Sequence, residues 1–143
     1  MKIKIINGVN LNMLGIRDVD IYGKRTYKDL AKMIFDFSLE NQLECDCFVS
    51  NFEGEIVEAI HDTYLNKYDA LIINPGAFTH YSYAIRDALQ ILTCLKIEVH
   101  ISDINHREAF RKNNVIKDVC DSSIIGKGLD GYIEAIKYIL KNR

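Results

Sequence analysis

The chain has 143 residues, 48% of them hydrophobic and 27% charged, with 18 basic and 20 acidic side chains for a formal net charge of −2. These proportions suit one domain, 1–143, with core enough to stand without disulfide staples, and they exclude disordered, fibrous and low-complexity chains. A charge so balanced leaves no electrostatic footprint for nucleic acid or an anionic membrane, and no apolar run approaches the roughly 20 residues of a bilayer span.

Lys2 to Ile6 reads as a strand ending at the turn signal Asn7-Gly8. Lysine interrupts this apolar run and no small-residue cleavage site follows, so a cytoplasmic protein with reduced thiols is expected. A long loop, Asn7 to about Arg25, comes next. Leu30, Met33, Ile34 and Phe37 then recur at helical spacing, with Thr26 and Asp29 as a capping pair, predicting a helix to about Gln42. Glu44 to Ser50 alternates charged and apolar residues, as a strand near a sheet edge would. Asn51 is expected to cap a second helix whose apolar face is Ile56, Val57, Ile60 and Tyr64. Ala70 to Ile73 is a fully apolar central strand stopped by Asn74-Pro75-Gly76. A helix from about His80 to Leu92 follows, then a strand from Ile97 to Ile101 and a short helix around Arg107 to Arg111. A last strand lies within Val119 to Ile125, and Gly126-Lys127-Gly128 leads into a helix with Leu129, Tyr132, Ile133, Ile136 and Ile139 on one side.

Strands and helices thus alternate from end to end. Crossovers of this length demand parallel strands, which predicts an α/β three-layer sandwich with a five-stranded parallel sheet in the flavodoxin-like order 2-1-3-4-5. Ligands bind such folds beyond the carboxyl ends of the strands. The residues expected there are Asn7, Asn10, Asn12, Arg17 and Tyr22 after the first strand, and Asn74, Gly76, Thr79 and His80 after the third. Glu98, His100 and Ser102, with Arg107 and Arg111, follow at the fourth, and Gly126 and Gly128 at the fifth.

Arg17 and Tyr22 lie five apart in a loop of the length that usually carries function. A guanidinium beside a phenol favours the phenolate, a base strong enough to take a proton from carbon beside a ketone; the same pair could equally be an aromatic anchor and a solvated arginine. Glu98, His100 and Ser102 share one face of a strand. A carboxylate beside an imidazole orients it and favours its charged form, as a general acid needs, while a satisfied core histidine is the plain alternative. His80, at a helix start, suits a neutral hydrogen-bonding role. His61 and His106 read as surface or packing residues.

Other patterns carry less. Gly126-Lys127-Gly128-Leu129-Asp130-Gly131 fits G-x-G-x-x-G, but no further strand or suitably placed acidic residue follows it, so no cofactor is expected. Cys45-x-Cys47 has neither the spacing nor the histidines of a metal site, and no metal is expected. A phosphoreceiver would need acidic residues where Asn7 and Asn74 stand, and a Schiff-base enzyme a lysine at a strand end.

The segments Asn7-Gly8-Val9-Asn10-Leu11-Asn12-Met13-Leu14-Gly15-Ile16-Arg17 with Tyr22-Gly23, Asn74-Pro75-Gly76-Ala77-Phe78-Thr79-His80, and Glu98-Val99-His100-Ile101-Ser102 together resemble the type II 3-dehydroquinate dehydratases, as do Arg86-Asp87-Ala88 and Arg107 to Arg111. The resemblance covers essentially the whole chain. It implies a hydro-lyase of the shikimate pathway that converts 3-dehydroquinate to 3-dehydroshikimate by anti elimination through an enolate, without a cofactor. Tyr22 would be the base, held as phenolate by Arg17, with Asn10 helping to stabilise the enolate. His100, oriented by Glu98, would protonate the leaving hydroxyl. Asn74 and the backbone around Ile101 and Ser102 would hold the substrate carboxylate, His80 and Arg111 the ring hydroxyls, and Arg107 would close with the lid. The family forms dodecamers built from trimers in which Asp87 reaches a neighbour's site. Val9 and Val19 stand where proline is usual, which leaves the lid less preorganised. The competing reading is a non-enzymatic flavodoxin-like module that binds a small ligand.

Overall fold

Short runs rich in β-branched residues, bounded by turn formers, set the strands, and apolar positions recurring every three or four residues set the helices. The computed structural model describes residues 1–143. In chain order the elements are β1 (Lys2–Asn7), α1 (Val19–Tyr22), α2 (Tyr27–Glu40), β2 (Glu44–Val49), α3 (Glu53–Leu65), β3 (Ala70–Asn74), α4 (Tyr83–Ile91), β4 (Leu95–His100), β5 (Ser122–Ile125) and α5 (Asp130–Asn142). The sheet has five strands in the order β2-β1-β3-β4-β5, every pairing parallel, as the alternation of elements predicts.

The strict two-residue period of the strands splits the core between the two faces of the sheet. Ile3, Ile5, Ile72, Ile97 and Val99 meet Leu30 and Ile34 of α2 and Tyr132, Ile136 and Ile139 of α5. Ile6, Leu71 and Ile73 meet Ile56 and Ile60 of α3 and Ile85 and Leu89 of α4. Lys4 faces inward on β1, only 6% exposed. Its ammonium contacts Asp46 of β2 at 2.6 Å and Asp62 of α3 at 3.0 Å. Burial lowers its pKa, but these two carboxylates outweigh burial and raise it, so Lys4 stays charged. Lys4 and Asp46 are register partners, so the ion pair ties β2 to β1.

Several boundaries differ from the sequence expectations. The long first loop contains a 3-10 turn, Leu11–Met13, and the helical turn α1. Thr26 and Asp29 form a complete reciprocal capping box on α2. Asn51 does not cap α3. Phe52 occupies that position, the Ser50 hydroxyl accepts from its amide at 3.0 Å, and the Asn51 side chain turns back to the first loop. Tyr64 is exposed because Ala59 and Thr63 fill the buried stripe of α3. α4 starts at Tyr83 rather than at His80, because Ser82 caps it by accepting from the Ile85 amide at 3.1 Å. His80 instead ends a 3-10 turn, Gly76–His80. β4 begins at Leu95 and leaves Ile101 outside it. The helix expected around Arg107 to Arg111 is two 3-10 turns, Ile104–His106 and Ala109–Lys112.

The loops after β1 and β3 interlock. The Gly8 amide donates to the Asn74 carbonyl at 2.7 Å, and a Cβ on Gly8 would lie 2.2 Å from the Pro75 carbonyl oxygen. Gly76, at φ +65°, brings the β3 loop against Val9, where a Cβ would lie 2.5 Å from the Val9 carbonyl oxygen. A Gly8→Ala substitution must push these loops apart, with an expected loss of about 1–3 kcal/mol of stability in urea denaturation. An unchanged unfolding midpoint would show that the loops separate freely.

Candidate active site

The carboxyl ends of β1, β3 and β4 open into a cleft of about 660 Å³, part of it open to solvent. Asn10, Arg17 and Tyr22 line it from the first loop, and Asn74 and His80 from the β3 loop. His100, Ile101, Ser102, Arg107 and Arg111 line it from β4 and the segment beyond. The strand-end reading of the sequence named nine of these residues and the family resemblance added Ile101, and one cleft gathers all ten.

Tyr22 sits at the end of α1, where Gly15 (φ +82°) and Gly23 (φ +80°) turn the chain at either side. Its hydroxyl accepts from Arg107 Nη1 at 2.6 Å and from Arg17 Nη2 at 3.4 Å. The Arg17 guanidinium also lies over the ring, 4.5 Å from its centroid. Arg107, expected only to close over the site, is thus the nearer partner, 85 residues away in sequence. It is further held by Ser102 Oγ at 3.3 Å. Two guanidinium groups thus converge on one phenol oxygen. α1 also bears on the departure at Val19. This residue is the first of the helix, a position where either proline or valine costs no helical hydrogen bond.

His100 is 5% exposed and Glu98, behind it, is fully buried. His100 Nε2 lies 2.9 Å from Glu98 Oε2. Asn114 Nδ2 donates to both Glu98 oxygens, and the Ser123 hydroxyl donates to Oε1. Burial pushes the Glu98 carboxyl up, but hydrogen bonds from His100, Ser123 and Asn114 and the charge of His100 outweigh it, holding Glu98 below the usual carboxylate range. Glu98 is therefore held as an anion, hydrogen-bonded to the His100 ring.

His80 Nδ1 donates to the Asn113 carbonyl at 2.7 Å. Burial, ahead of the opposing hydrogen bond, lowers its pKa, so the neutral role expected for His80 follows from desolvation rather than from a helix dipole. Asn74 is fixed by a buried chain. Its Nδ2 donates to Tyr132 Oη at 2.9 Å, and that hydroxyl donates to Asn7 Oδ1 at 2.5 Å. Its Oδ1 accepts from the Gly76 amide at 3.2 Å. One Nδ2 hydrogen remains for a ligand. Asn10 adopts a left-handed conformation, φ 68°, pinned by donation of its amide to Asn51 Oδ1 at 2.8 Å.

Asn7, Asn12, Thr79, Gly126 and Gly128 do not line this cleft. Asp87 is exposed on α4 and outside it as well, so within one chain it makes no contribution there. His61 and His106 are exposed, and the four cysteines are free thiols. Sequence reasoning missed Asn51, Asn114, Ser123 and Tyr132. Tyr132 alone carried a signal, a polar atom on an otherwise apolar helix face.

The depressed Glu98 carboxyl makes a pH prediction with a definite sign. Its unfolded value is about 4.5, so its contribution to stability is fully present above that pH and is lost as pH falls through the lower native value. Glu98→Gln should therefore be less stable than the wild type at neutral pH, and the gap should close on acidification below about 4.5. Unfolding free energies across a pH series test this; a gap indifferent to pH would contradict it.

Comparison with known proteins gives a consistent result. The family model "Dehydroquinase class II" matches residues 1–140. The chain is similar to a 3-dehydroquinate dehydratase of Thermotoga petrophila, 53% identical over 141 residues that span 99% of this chain and 96% of the relative. A 3-dehydroquinate dehydratase of Caldicellulosiruptor bescii is 51% identical over 98% of this chain and 96% of its own length. The crystal structure of type II dehydroquinase from Butyrivibrio crossotus superposes with a TM-score of 0.97 at 50% identity, covering 98% of this chain and 97% of that one. With the sheet order, the cleft and these matches in agreement over nearly every residue, the chain belongs to the class II dehydroquinase family.

Proposed function

We propose that this cleft removes water from 3-dehydroquinate to give 3-dehydroshikimate, as a hydro-lyase of the shikimate pathway. The observation that carries the reading is that Tyr22, under two guanidinium groups, and His100, on a buried carboxylate, line one cleft. Tyr22, as phenolate, takes the proton from the carbon next to the ketone, and the electron pair moves to the ketone oxygen as an enolate. Asn10 stabilises that oxygen. His100, as imidazolium, gives its proton to the departing hydroxyl, which leaves as water, and the enolate collapses to the conjugated enone. The tyrosine then returns its proton and the histidine regains one, so the protein ends unchanged. Arg107 and Arg17 share the charge on Tyr22, and Glu98 holds His100.

Asn74, with Ile101 and Ser102 where the chain leaves β4, binds the substrate carboxylate. His80, as an acceptor at Nε2, and Arg111 bind ring hydroxyls. A Schiff-base route finds no support, because the one lysine buried in the sheet, Lys4, is a cation between two carboxylates and does not line the cleft. The chain acts as a single catalytic domain, cytoplasmic, in a dodecamer built from trimers. In that assembly the exposed Asp87 contributes to a neighbouring site, which accords with its place outside the cleft of its own chain.

The test is an absorbance assay for the conjugated product with purified protein and 3-dehydroquinate. Turnover by the wild type is expected, with kcat lower by about 100- to 10,000-fold in Tyr22→Phe and in His100→Ala and with KM little changed. A wild type that binds 3-dehydroquinate without turning it over would instead make the chain a ligand-binding module.

A further inference from the structure

Asn113 and Asn114 are neighbours in sequence that reach different histidines. The Asn113 carbonyl can only accept, so His80 Nδ1 carries the proton and Nε2 is left as an acceptor. Asn114 Nδ2 donates to the two Glu98 oxygens at 3.1 and 2.9 Å. Its Oδ1 accepts from the Ile116 and Lys117 amides, each at 3.0 Å. Asn114 therefore bridges a backbone turn and the carboxylate behind His100. The groups facing Glu98 are His100 from its own strand, Ser123 from β5, Asn114, and the Cys120 thiol, which burial and the Glu98 charge push up to about 12. Of these His100 alone can be a cation.

We infer that Asn114 is a positioning residue for the proton donor, its amide holding the Glu98 carboxylate in one orientation and as an acceptor only, so that His100 is offered to substrate as a donor while Asn113 offers His80 as an acceptor. This deepens the reading above and rests on it. Hydrogen bonds to a buried carboxylate are charge-assisted and strong, and losing them frees the group to turn or to take a proton. Either change removes the partner of the imidazolium.

Asn114→Asp separates positioning from structure. A carboxylate oxygen still accepts from the Ile116 and Lys117 amides, so the turn is retained. Toward Glu98, however, the variant presents a second anion at neutral pH and becomes a donor only when protonated. The expected kcat at neutral pH is lower by about 10- to 100-fold with KM within about 3-fold, and the optimum of the kcat profile moves to lower pH. Ser123→Ala, which removes the hydroxyl donated to Oε1, lowers kcat without that acid-side recovery. In the wild type the Nε2–H proton of His100 gives a downfield resonance, and Asn114→Asp displaces or broadens it at neutral pH. A wild-type kcat profile for Asn114→Asp would overturn the inference. So would a kcat loss that follows the melting temperature and keeps its pH optimum. Should the wild type fail to turn over 3-dehydroquinate, the dehydratase reading falls, and the His100 resonance alone decides. An unmoved resonance refutes positioning by Asn114, and a displaced one sustains it.

Discussion

A carboxylate with no exposed surface is the constraint on which this site depends. Desolvation of Glu98 is expensive, and an unpaired charge there would neutralise itself instead. Donors from three separate stretches of chain, His100 on β4, Asn114 between β4 and β5, and Ser123 on β5, converge on its two oxygens and hold it ionised. The buried carboxylate in turn fixes the His100 ring through the contact at Nε2. At the other side of the cleft the surroundings have the opposite sign: two guanidinium groups, from Arg107 and Arg17, converge on the Tyr22 hydroxyl. One cleft thus sets a histidine against a carboxylate and a tyrosine against two guanidinium groups.

The backbone that carries the base is held by short-range devices. The Gly8–Pro75 approach locks the first loop to the third, Asn51 pins the amide of Asn10, and the Thr26–Asp29 box fixes where α2 begins. Between these anchors α1 presents Tyr22 to the cleft. Lys4, with Asp46 and Asp62, fixes the register of β1 against β2, and so the height at which the first loop leaves the sheet.

The sheet order and the residues of the cleft were legible because each rests on a local pattern. The fully apolar run Ala70 to Ile73 read as a central strand and alternating Glu44 to Ser50 as one near an edge, and both stand there in the sheet. The period of two placed Glu98 and His100 together. The boundaries were less legible, since serine and asparagine cap by geometry rather than by identity: Ser82 caps α4, while Asn51, with the same credentials, serves another loop. The groups that hold Glu98 and Tyr22 from a distance were not legible. Asn114 and Ser123 lie 16 and 25 residues from Glu98, in stretches whose composition is that of any loop or edge strand, and Arg107 meets Tyr22 across 85 residues. Only the fold makes such pairs neighbours.

The central claim is that proton removal and proton donation belong to different residues, Tyr22 and His100. Substrate labelled with tritium at the carbon beside the ketone tests it directly when incubated with each single variant. The account predicts that His100→Ala releases the label to water without completing dehydration, and that Tyr22→Phe releases none. Label release by Tyr22→Phe, or its loss in both variants alike, would contradict the division of labour.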